Sequence, residues 1–141
     1  LKTLIRPLGF LSLLALVVVS GGCGGSRTSA KGTITYDGKP LEDGSISFDP
    51  ADGQGPTFGG RIEAGKYEIE VPSGAIGKKI VRIRGNRKTG KQIEAGPPTP
   101  KGTMMDEVIF LPPVYNEKST LTADITSGHS TPIDFDLKPA R

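Results

Sequence analysis

Cysteine, histidine and tryptophan are nearly absent from this chain: its 141 residues hold one Cys, one His and no Trp. A single cysteine excludes an internal disulfide, and one Cys with one His falls short of the four ligands of a structural zinc site. Without Trp, sugar stacking would fall to a few Tyr and Phe rings. Helical periodicity is also missing, because no stretch beyond residue 22 repeats its apolar residues every 3.6 positions. What the chain has in quantity is glycine and proline, 20 and 12 residues, a supply that suits many turns between short strands. Hydrophobic residues make up 35%, enough for one small core. The formal net charge is +3, and Lys2 and Arg6 near the start account for most of it.

Those two cations precede an apolar run from Leu8 to Val19, broken only by Gly9 and Ser12. A basic head and an apolar stretch shorter than the roughly 20 residues of a membrane span have the form of a secretory leader. Ser20, Gly21 and Gly22 then lead into Cys23, the only thiol. This arrangement resembles the signal of bacterial lipoproteins, with Ser20 standing where that family prefers Leu. The resemblance implies removal of residues 1–22 and acylation of Cys23 with palmitate-type chains. A thiolate is a good nucleophile for taking up a diacylglyceryl group, and two or three chains hold a protein on a bilayer where one does not. Gly24 rather than Asp follows the cysteine, which by resemblance implies the outer membrane. The alternative is an ordinary secretory leader that leaves Cys23 as a free thiol. Residues 23–30 are small and polar and are expected to form a tether.

From Lys31 onward the period is two. Apolar and polar residues alternate over Thr33–Tyr36, Ser45–Phe48, Tyr67–Val71, Val81–Arg84, Leu121–Ile125 and Ile133–Leu137, with Asp37-Gly38, Asp43-Gly44, Asp52-Gly53, Ala64-Gly65 and Ser73-Gly74 as turn signals. Such spacing predicts an all-β domain of about seven short strands packed as an antiparallel sandwich. Tyr36, Phe48, Tyr67 and Phe135 fall on the apolar phase and are expected in the core. Phe58, Phe110 and Tyr115 remain as candidate platforms for a sugar, with Phe110 expected to be half-buried.

The stretches "YDGKPLEDGSISF" (36–48), "AGKYEIEV" (64–71) and "YNEKSTLTADI" (115–125) resemble the carboxypeptidase regulatory-like domain. The resemblance spans residues 31–139 and implies a seven-stranded transthyretin-like (prealbumin-type) β-sandwich, common in envelope lipoproteins and usually without chemistry of its own. A fold does not confer a function, so each candidate site is weighed on its residues.

His129 sits in "TSGHSTP" beside Ser127 and Ser130. A small hydrolase of the hydroxyisourate-hydrolase or esterase kind would have to use it, yet no G-x-S-x-G elbow accompanies it and the neighbours are ordinary turn residues. Asp49 and Asp52 offer oxygens for a calcium ion, but turn formation at Asp52-Gly53 explains the same residues, and no cofactor is implied. The remaining feature is a basic run. Residues 78–101 contain Lys78, Lys79, Arg82, Arg84, Arg87, Lys88, Lys91 and Lys101 against Glu94 alone. Such a run points to an anionic glycan, a lipid headgroup or an acidic envelope protein; no recognition motif for nucleic acid accompanies it. The competing expectation pairs strand 67–71 with 80–84, so that Glu68 and Glu70 neutralise Arg84 and Arg82, and leaves 87–102 as a long mobile loop. The expected protein is a membrane-tethered, non-catalytic module of the cell envelope.

Overall fold

The computed structural model describes residues 27–128, 130 and 132–140. Cys23, the leader and His129 therefore lie outside the described residues. What is described is all-β. Nine strands run in chain order: β1 Ser29–Tyr36, β2 Lys39–Pro40, β3 Asp43–Pro50, β4 Phe58–Glu63, β5 Lys66–Glu70, β6 Gly77–Glu94, β7 Met104–Phe110, β8 Thr122–Ile125 and β9 Phe135–Leu137. One 3-10 turn spans Pro113–Tyr115.

The strands form one open sheet in the order β2-β1-β5-β4-β3-β6-β7, with β8 on β6 and β9 on β1. All pairings are antiparallel except β1 with β9. The tight turns come where the sequence signals them. Asp37 and Gly38 both take positive φ between β1 and β2, as do Ala64 and Gly65 between β4 and β5, the conformation of the hairpin turns whose twist matches that of the strands. Alternation delivers one buried cluster. Ile34 and Tyr36 from β1, Ile46 and Phe48 from β3, Ile62 from β4, Tyr67 and Ile69 from β5, and Val81 and Ile83 from β6 meet Ala123, Ile125, Phe135 and Leu137. Phe48 stacks on Phe58 with ring centroids 4.9 Å apart and planes 6° from parallel. The four aromatic residues assigned to the core are there, and Phe58, expected as an exposed platform, joins them.

Two expectations about pairing are corrected. β5 does not pair with β6: it lies between β1 and β4, with Lys31 opposite Glu68 and Ser29 opposite Glu70. The reason is β4, which the Ala64-Gly65 turn joins directly to β5, while β6 goes to β3. Residues 87–102 are likewise no long loop. β6 runs on to Glu94 and β7 returns alongside it, Asn86 opposite Phe110 and Glu94 opposite Met104. An irregularity between Lys88 and Gln92 lets two steps of β7 match four of β6, a bulge that bends the ribbon. Only residues 95–103 make the connection, closed by a hydrogen bond from the Ala95 N–H to the Thr103 carbonyl at 2.8 Å.

Candidate interaction surface

The long β6 carries all seven cations proposed for anion binding, and alternation divides them. Lys79 and Arg87 share the inward phase with Val81 and Ile83, and are 1% and 7% exposed. The Arg87 guanidinium lies over the Tyr36 ring at 6.0 Å and reaches Asp37 at 3.9 Å. Its Nε is buried with no acceptor among the described residues. Arg82 faces outward and donates from Nε to Asp49 at 2.6 Å, with the carbonyls of Asn116 and Glu117 at 3.4 Å. Lys88 binds Asp106 at 2.7 Å; that contact raises the Lys88 pKa and lowers that of Asp106. Lys78, Arg84 and Lys91 are left exposed, with no ion pair among the described residues. Arg84 lies six positions along the strand from Lys78, a span of about 20 Å. The run therefore presents scattered charges, not one cradle.

The other candidate groups are similarly committed to neighbours. Asp52 accepts from the Gln54 N–H at 2.9 Å, so both aspartates weighed for calcium hold protein donors. Among the described residues no set of three or more His, Cys, Asp or Glu side chains converges as a metal site would require. Ser130 Oγ shares a hydrogen bond with Ser29 Oγ at 2.9 Å. The Tyr115 hydroxyl donates to the Lys138 carbonyl at 2.7 Å and accepts from the Lys138 N–H at 2.9 Å, clamping the C-terminal segment. A groove of about 670 Å³ crosses β1, β4 and β5, but its charges alternate: Lys31, Arg61 and Lys66 against Glu63, Glu68 and Asp134. Such a lining selects neither sign of ligand.

Within that groove, the backbone N–H and the hydroxyl of Thr33 donate to Asp134 at 2.7 and 2.8 Å and hold its carboxyl below the usual range. Asp136 is lowered by Lys138 and then by the Thr35 hydroxyl. The two threonine bonds tie β9 and the residue before it to β1. A carboxylate whose folded pKa is depressed contributes stability that is present above its unfolded value and lost as pH falls through the folded one. Melting temperature is therefore expected to hold steady from pH 7 to about 5 and to drop below about pH 4. Asp134→Asn should flatten that drop, as thermal melts at stepped pH would show.

What sequence reasoning missed is the β6–β7 hairpin as a surface. Ile93, Met104, Met105, Ile109 and Phe110 are all exposed there, Phe110 at 69% and Met104 at 56%. Phe110, expected to be half-buried, is the most exposed aromatic ring among the described residues. The signal lay in "MMDEVIF", which has apolar residues on both phases of the alternation. That pattern marks a strand covered on both faces or one awaiting a cover. Among the described residues, the fold and surface together define an all-β protein with an apolar, exposed hairpin ribbon. Compared with known families, curated proteins and solved structures, the chain matches none.

Proposed function

We propose that this chain is a lipid-anchored protein of the cell envelope, held at the outer membrane through acylated Cys23. Its β domain, of the transthyretin-like sandwich type that its motifs resemble, works as a non-catalytic interaction module. The observation that carries the reading is the concentration of exposed apolar side chains on one hairpin. Soluble domains seldom leave such a patch open unless something binds it. Asp49 and Asp52, weighed for calcium, Arg82 and Lys88, weighed for anions, and Tyr115, weighed for a sugar, are each engaged with neighbouring protein groups, which leaves the apolar hairpin as the surface without a described partner. Lys78, Arg84 and Lys91 add a weak, salt-screened attraction for anionic glycans or headgroups.

Intact mass of the protein from its native host tests the anchor. The expected species has lost residues 1–22 and carries diacylglyceryl and a further acyl chain on Cys23; a free thiol or a retained leader would overturn it. Hydrolysis of small esters that disappears with His129→Ala would overturn the non-catalytic reading.

A further inference from the structure

We propose that β7 pairs edge to edge with β7 of a second copy of this chain, antiparallel about a two-fold axis through Val108. This names the partner of the hairpin and so rests on the reading of that hairpin as an interaction surface. The two ends of the strand order differ in kind. At one end β2 has two residues, Lys39 and Pro40, and shortness, lysine and proline all discourage pairing with another chain. At the other end β7 offers seven residues, without a proline or a lysine. One end is guarded and the other is open.

Backbone parity says which groups the open edge presents. The Leu111 N–H donates to the Gly85 carbonyl at 3.0 Å, and the Thr103 carbonyl accepts from Ala95. Both bonds point odd-numbered residues of this segment toward β6. Met104, Asp106, Val108 and Phe110 therefore turn their N–H and C=O groups outward, because successive residues of a strand face opposite edges.

A two-fold antiparallel ladder must place one residue opposite its own copy. Centring on Asp106 or Glu107 sets like charges directly against each other, which is unfavourable. Centring on Val108 sets Val108 against Val108, Asp106 against Phe110 and Glu107 against Ile109. In that register the outward groups of Asp106, Val108 and Phe110 meet the same groups of the second copy, for about six backbone hydrogen bonds. The seam also brings Val108 beside its counterpart, with Phe110 of each copy diagonally across from the other copy's Val108, and withdraws part of their apolar surface from water. Centring on Ile109 would set Asp106 against Pro112, which has no N–H, and keep only about four such bonds. The Val108 register is therefore the one in which the outward edge pairs most fully with itself, which favours a second copy over an unrelated strand.

The test uses the full chain with Cys23→Ser, so that an added cysteine is the only thiol. Directly opposed residues of a hydrogen-bonded antiparallel pair have Cα atoms about 5.5 Å apart, within the range a disulfide bridges. Under mild oxidation Val108→Cys is expected to form a disulfide-linked dimer roughly tenfold faster or more than Glu107→Cys or the hairpin control Lys91→Cys. Fastest crosslinking at Glu107 would overturn the register, and equal slow rates at all three would overturn the pairing. Val108→Pro in the native chain supplies the second measurement. Its lost N–H faces away from β6, and edge strands tolerate proline there. A native circular dichroism spectrum with sedimentation as a monomer is expected, against a dimer for the parent chain; a persisting dimer would overturn the pairing. If Val108→Cys instead crosslinks to a different envelope protein, the second copy is ruled out while the interaction-module reading stands. If it crosslinks to nothing in the envelope, both lose the hairpin.

Discussion

Replacing Phe48 with alanine is expected to cost about 3–5 kcal/mol of folding stability. Phe48 is fully buried. It sits on β3 opposite Phe58 of β4 and Val81 of β6, stacked on the first ring and 6.1 Å from the centroid of Tyr67. Truncation removes the transfer free energy of a benzyl group and leaves a cavity beside the Phe58 and Tyr67 rings, which the backbone, bonded on both edges of β3, has little freedom to close. The lost stacking with Phe58 adds to this, about 0.5–1.5 kcal/mol for an aromatic pair. Small domains have about 5–15 kcal/mol in total, so the variant should unfold at a much lower urea concentration with an unchanged slope. Phe48→Leu fills most of the space and should lose distinctly less. A Phe48→Ala loss under about 1 kcal/mol would mean that this layer is not the centre of the core. Because β3 is the strand that seats β6, the same variant should also loosen the base of the hairpin, read as faster amide exchange at residues 79–86.

How far this architecture can be read from residues depends on which strands have one wet face. Residues 33–36, 45–48, 67–71 and 81–84 each bury one side and expose the other, so their alternation is clean and β1, β3, β5 and β6 fall there. β4 reads "FGGRIE", where a glycine takes the apolar phase between Phe58 and Ile62 and breaks the pattern. Missing β4 then misassigns its neighbour, because β5 is left to pair with the next strand that alternates. Beyond Arg87, β6 and all of β7 have both faces partly wet, and a ribbon of that kind has no reason to alternate. For the candidate site, the charge run is plain in the residues, and its division takes one further step. Carrying the period of two outward from Val81 and Ile83 reaches Lys79 and Arg87, which places both on the core face by spacing alone. Whether Lys88 finds Asp106, or Arg82 finds Asp49, depends on pairings between residues distant in sequence and is not written in local pattern.

Gly32→Ala is expected to be nearly as damaging as the loss of Phe48, although it adds one methyl group and removes nothing. A Cβ at Gly32 would stand 2.1 Å from the Ile133 carbonyl oxygen, far inside van der Waals contact. That carbonyl has little freedom to retreat. It accepts the Tyr67 hydroxyl at 2.7 Å, and the N–H of the same residue donates to the Lys31 carbonyl at 2.8 Å. Tyr67 lies directly opposite Gly32 in the β1–β5 register, so glycine, phenol and carbonyl form one packed unit at the point where β1 meets both β5 and the segment leading to β9. Burial, with Asp134 nearby, pushes the Tyr67 phenol well above the ordinary tyrosine range, so it remains a neutral donor at physiological pH. Forcing the carbonyl away costs the strain of overpacking, about 1–3 kcal/mol. It also leaves the phenol without its acceptor, a further 1–3 kcal/mol or so for a buried polar group. The two contributions are separable by a double-mutant cycle with Tyr67→Phe. If the hydrogen bond is part of the damage, Gly32→Ala should cost less by about 1 kcal/mol or more when combined with Tyr67→Phe than in the parent. Equal costs with and without the phenol would show that only the steric conflict counts, and a stable Gly32→Ala protein would mean that the segment from Pro132 to Phe135 does not pack against β1 as described.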